Sequence, residues 1–173
     1  DKWIRMRAVL DASVLIDMTS FDLLEPWFAL GYEAVTTTLV WREVNRRSQK
    51  VRLQEYVRSG GLAIEPVRAE LLTEIVLLQA TLGGKVSLED ASVLQISTSP
   101  QTMLLSSDKV LRRCAEDRGI EVHGLLWVMD LLVSRGKLLP GIAADRLEQM
   151  ITKKATRLPL AECRQRIRKW RSE

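Results

Sequence analysis

Five short apolar runs, each followed by residues at helical spacing, constrain this chain more than any other feature. They are Arg7-Ala8-Val9-Leu10-Asp11, Ala34-Val35-Thr36-Thr37, Leu62-Ala63-Ile64-Glu65-Pro66, Thr102-Met103-Leu104-Leu105-Ser106 and Ile120-Glu121-Val122-His123. Short runs of this composition read as strands covered on both faces. Helical spacing follows from Leu39 to Val44, over 68 to 82, from Ala91 to Ile96, and from Asp108 to about Arg118. Gly60-Gly61, Gly83-Gly84 and Gly119 punctuate these segments, and Ser87-Leu88-Glu89-Asp90 resembles a capping box. Strands alternating with helices predict an α/β domain built on a parallel sheet. The 173 residues suit one such domain, 1–140, with a helical basic extension, 141–173. In that extension Leu160, Cys163, Ile167 and Trp170 share one side of a helix and should pack, with arginines on the other side.

Composition removes several classes of function. No apolar run approaches the ~18 residues of a membrane span. Asp1-Lys2-Trp3-Ile4-Arg5 has no secretory apolar region, so a cytoplasmic protein that meets no membrane is expected. Cys114 and Cys163 lie far apart in helical patterns and read as reduced packing residues. With one histidine, His123, the chain is short of parts for a tetrahedral zinc site or a nucleophilic triad. His123 reads as a core or rim residue, and Trp3, Trp27, Trp41, Trp127 and Trp170 as core or interface anchors. Any chemistry here rests on carboxylates.

Ligands of open α/β sheets sit at the carboxyl ends of the strands. Asp11 closes the first strand, and Asp108 follows the fourth by two residues. Glu43 and Asp90 lie on helices that begin at the same edge. Four carboxylates converging there would repel one another without a cation, so a divalent metal is their natural occupant. Each also has a bland role: Asp108 as a helix N-cap, Asp90 as an acid in a first turn, and Glu43 as a solvent-facing neighbour of Arg42 or Arg46. Asp11 is the hardest to explain away, because half-burying an unpaired acid is costly.

Val9-Leu10-Asp11-Ala12-Ser13-Val14-Leu15-Ile16, Glu43, Leu88-Glu89-Asp90-Ala91 and Leu104-Leu105-Ser106-Ser107-Asp108-Lys109 together resemble a PIN domain over roughly residues 7 to 140. The pattern is most similar to the toxin-like prokaryotic ribonucleases of the VapC type. That resemblance implies a five-stranded parallel sheet ordered 3-2-1-4-5 and a metal-dependent endoribonuclease. It implies Asp11, Glu43, Asp90 and Asp108 as catalytic, metal-binding acids for one or two Mg²⁺ or Mn²⁺ ions, supported by Ser13 and Ser106. Ser107 departs from the family pattern, in which close relatives often carry another acid.

RNA is the substrate and an antitoxin the protein partner that the resemblance implies; a homodimer is expected separately, since the apolar side of the last helix should pack on the domain or on a second copy. Arg42, Arg46, Arg47, Lys109 and Arg112 flank the acids and are the expected contacts to RNA phosphates, with Lys50, Arg52 and Arg113 nearby. Residues 151–173 hold eight basic residues against Glu162 and Glu173, a charge of +6 within a chain of net +4. That tail favours a polyanionic or acidic partner. The alternative is a catalytically silent PIN-like module that binds nucleic acid or protein. A nucleotide-binding α/β domain fares worse, because no glycine-rich phosphate loop follows a strand.

Overall fold

The computed structural model describes residues 5–44, 50–153 and 157–173. In chain order its elements are β1 (Arg7–Leu10), α1 (Ala12–Ser20), α2 (Leu24–Phe28), β2 (Glu33–Thr37), α3 (Thr38–Val44), α4 (Lys50–Arg58), β3 (Leu62–Glu65), α5 (Ala69–Thr81), α6 (Leu88–Ile96), β4 (Thr102–Leu105), α7 (Lys109–Asp117), β5 (Glu121–His123), α8 (Leu125–Ser134), α9 (Pro140–Lys153) and α10 (Leu160–Ser172). The strands form one sheet ordered β3-β2-β1-β4-β5, parallel at every pairing. The expected sheet is therefore present, order included.

Strand burial follows position. Every residue of β4 is buried, as is β1 after Arg7, whereas the edge strands β3 and β5 are largely half-exposed. Central parallel strands lie between two helical layers, which is why Val9-Leu10 and Met103-Leu104-Leu105 are continuous apolar runs. The expected first, third and fourth strands run one residue past the observed ends, and the fifth starts one residue early. Pairing stops at Leu10 opposite Leu105, since the next residues, Asp11 and Ser106, turn out of the ladder. Chain order reverses between β1 and β4, so the crevice of this fold opens at those two strand ends.

The C-terminal helices belong to the same apolar cluster as the sheet. Ala143, Ala144, Leu147 and Met150 of α9, with Cys163, Ile167 and Trp170 of α10, are buried in it. Leu160 does not join them and is 50% exposed, contrary to the expected four-residue stripe. Helical side chains lean toward the N-terminus, and at the first residue of α10 no preceding turn supplies a surface to lean on. A bidentate ion pair pins α10 to α8: Arg166 Nε and Nη2 donate to Asp130 at 2.7–3.0 Å. Among the described residues, no helix is long and apolar enough to cross a membrane.

Candidate active site at the carboxyl edge of the sheet

Asp11 follows β1 directly, and the backbone must leave the sheet there. Its N–H still donates to Leu105 O at 3.2 Å, tying it to β4. Its carboxylate is the N-cap of α1: Oδ1 accepts from Val14 N–H at 2.8 Å and from Ser13 Oγ–H at 2.9 Å. The other oxygen, Oδ2, accepts from Ser106 Oγ–H, across the crevice. Asp11 is only 2% exposed. Burial pushes its carboxyl up to about 6; the hydrogen bonds from Ser106, Val14 and Ser13 oppose this, and Asp90 adds to it.

Asp108 repeats the capping arrangement at the end of β4, accepting from Leu111 N–H at 2.7 Å as the N-cap of α7. Ser106 serves both acids. While donating to Asp11, its Oγ accepts the Asp108 N–H at 3.1 Å. Asp108 itself is exposed.

Asp90 stands in the first turn of α6, where its N–H donates to the Ser87 cap at 3.0 Å. Burial raises its carboxyl, the Ser87 cap lowers it, and the charge of Asp108 raises it again. A second anchor holds α6 to the sheet edge. Thr37, at the end of β2, shares a 2.7 Å hydroxyl bond with Ser92, which donates onward to Glu89 O at 2.6 Å. Thr37 Oγ1 also accepts Val40 N–H at 3.2 Å, so one threonine sets the start of α3 and the seat of α6.

Glu43 lies in the second turn of α3, a helix packed on both α1 and α6, and its side chain is exposed. The structure thus places Asp90 within reach of both Asp11, whose carboxyl its charge raises, and Asp108, whose charge raises its own, and puts Glu43 on a helix at the same edge. Among the described residues, no three of these side chains are gathered tightly enough to hold an ion as they stand. The donor set itself fits a hard divalent cation: carboxylate oxygens, one acid buried and two held upward by desolvation and mutual repulsion.

Asp17 escaped the sequence reading. It is 8% exposed on α1, and burial, then the charge of Asp11, pushes its carboxyl up to about 7. The signal was visible as an acid inside the apolar run Val14-Leu15-Ile16-Asp17-Met18. His123 is a rim residue, hydrogen-bonded to Glu121 at 2.9 Å and stacked on Trp127 with ring centres 3.7 Å apart. Of the expected phosphate contacts, Arg42 and Lys109 are exposed and Arg112 is half-buried, while Arg46 and Arg47 lie outside the described residues. Two neighbouring cations are already engaged: Arg52 pairs with Asp22 at 2.5 Å and donates to Thr19 O, and Arg113 pairs with Asp117 at 3.2 Å.

No curated protein matches the chain. A family model described as a PIN domain matches residues 7–172, which takes in the sheet, the acid edge and both C-terminal helices. PIN domains are generally nucleases and typically bind divalent metals. With the 3-2-1-4-5 parallel sheet and acids at its reversal point, a match of that extent settles the family: the chain belongs to the PIN-domain family.

Proposed function

We propose that this protein is a metal-dependent endoribonuclease. The observation that carries the reading is the coupling of Asp11, Asp90 and Asp108 at the strand ends, an arrangement that costs stability unless a cation neutralises it. A binding module gains nothing from a repelling group of acids with one member buried.

Asp11, Glu43, Asp90 and Asp108 would hold one or two Mg²⁺ or Mn²⁺ ions, which supply charge neutralisation and an activated water for phosphodiester hydrolysis. The chain's own part is positioning. Ser106, Ser13 and the Val14 N–H fix the Asp11 carboxylate so that it loses no further freedom on loading. Ser106 couples that carboxylate to the backbone of Asp108, so the two acids cannot drift apart independently. Thr37 and Ser92 fix the helix that carries Asp90. Exposed cations such as Arg42 and Lys109 would grip phosphates without reading sequence. Attack of water on phosphorus with departure of O3′, which takes up the proton, leaves 5′-phosphate and 3′-hydroxyl ends.

Incubating mixed RNAs and matched DNAs with the protein in Mg²⁺, Mn²⁺ or EDTA tests this reading. Cleavage of RNA with either metal, its loss in EDTA, and its loss in Asp11→Asn and Asp90→Asn are expected. Wild-type cleavage by both variants would overturn it. The role as the toxin of a toxin–antitoxin pair extends the same reading; growth arrest on expression, relieved by Asp11→Asn, is its test.

A further inference from the structure

A cavity of about 510 Å³ lies beside the acid edge, between the starts of α7 and α8 and the C-terminal arm. Its donors outnumber its acceptors. Lys109 and Arg112 line one wall and Arg157 another, and among the described residues none of the three is in an ion pair. Arg166 and Glu162 also line it; Arg166 is held by Asp130, with Glu162 3.8 Å away, so this wall adds no net positive charge and the cationic side is that of Lys109, Arg112 and Arg157.

Two further features point to an anion. Ser107 lines the cavity, and its hydroxyl oxygen, closed to water as it stands, has no hydrogen-bond partner, a cost that a turn of the side chain toward an anion in the cavity would relieve. The floor is the first turn of α8, whose N-cap, Gly124, offers no side-chain cap, so the N–H groups of Leu125, Leu126 and Trp127 lack the capping that α1, α6 and α7 receive. Gly124 also lets Arg112 lie close: a Cβ there would stand 3.0 Å from Nη1.

We propose that this cavity is a phosphate subsite for the RNA strand, holding a phosphate next to the one being cut. The inference rests on the nuclease reading and extends it. Ser107 and Lys109 flank Asp108, so a strand crossing the acids delivers its neighbouring phosphate to this wall. One wall is Arg157-Leu158-Pro159, which gives Arg157 of the basic C-terminal segment a defined task.

The test is RNA binding by the wild-type full chain in EDTA, read by fluorescence anisotropy of a labelled single strand across a salt series. Arg157→Ala should weaken binding about 3- to 10-fold and lower the slope of log affinity against log salt by roughly 0.7, the value for one lost single-strand phosphate contact. Arg164→Ala removes the same charge from an exposed position of α10 outside the cavity and should change the slope far less. Ser107→Ala should weaken binding while leaving the ligand-free melting temperature unchanged or higher, since it removes an unpartnered hydroxyl. Inorganic phosphate should stabilise the wild type more than Arg157→Ala.

Equal slope changes in Arg157→Ala and Arg164→Ala would overturn the subsite in favour of diffuse attraction. So would a glutamate-rich peptide that displaces RNA and loses affinity in Arg157→Ala while RNA does not. Because binding is read without metal, a failure of cleavage and a failure of this subsite are separate results.

Discussion

β1 with α1 and β4 with α7 are two versions of one unit: a buried strand, an aspartate, and a helix capped by that aspartate at 2.7–2.8 Å. They differ by two residues. Asp11 follows its strand at once and is buried under three donors, whereas Ser106-Ser107 separate Asp108 from β4 and carry it into solvent. The same cap therefore yields an acid displaced to about 6 in one unit, and an exposed acid that acts on Asp90 through its charge in the other. At Asp11 the capping hydrogen bonds hold the carboxyl down and burial is what lifts it.

Asp11→Asn should break the comparison most severely. Nuclease activity should fall on the order of a thousandfold, as when a preorganised electrostatic group is removed. Stability should move the other way. The folded carboxyl, at about 6, lies above its ordinary value of 3.8, so the folded state holds its proton more tightly. The resulting stabilisation is complete below about pH 4 and is lost as pH rises through 6. In EDTA the variant's melting temperature should thus match the parent's near pH 4 and exceed it above pH 6, by an amount corresponding to at most roughly 3 kcal/mol. Mn²⁺ should raise the parent's melting temperature more than the variant's. A constant difference between pH 4 and 7.5 would show that Asp11 is not displaced by burial.

Asp108→Asn sharpens the contrast from the exposed side. Asparagine caps about as well as aspartate, so stability should change by only a few tenths of a kcal/mol, while activity falls roughly 10- to 100-fold. Urea unfolding beside an RNA-cleavage assay separates the two effects. Ser106→Ala joins the units, since its hydroxyl serves both. It should cost about 1 to 2 kcal/mol and move the acid limb of the activity profile to higher pH, because the lost hydrogen bond was holding Asp11 down. Asp17→Asn should have the smallest effect, a modest rise in metal-free melting temperature above pH 7 with cleavage retained.

The sheet was legible because central parallel strands must be apolar on both faces, and Val9-Leu10 and Met103-Leu104-Leu105 are. The caps at Ser87 and Asp108 were legible because capping is local. Contacts between distant segments were not. The helical spacing of 68 to 82 located α5, yet only Ile75 is buried there while Leu72 and Val76 are exposed, since periodicity does not say how far a neighbouring element extends. Within the site, all four acids lie on elements meeting at the expected edge. The bridge from Ser106 to Asp11 and the latch between Thr37 and Ser92 join partners 95 and 55 residues apart, the wall that Arg157 adds to the cavity comes from a segment distant from α7 and α8, and no local pattern encodes them.

The cap on α1 also bears on how such a protein changes over generations. Asparagine at position 11 keeps an oxygen for the Val14 N–H and turns an amide toward Ser106, whose hydroxyl can accept as well as donate. One base change converts an aspartate codon to an asparagine codon. If the proposed cleavage holds, a descendant without it is a single step away, expected to fold and, without metal and above about pH 6, to be sturdier than its parent. Selection for a scaffold that only grips nucleic acid could take that step without passing through an unfolded chain.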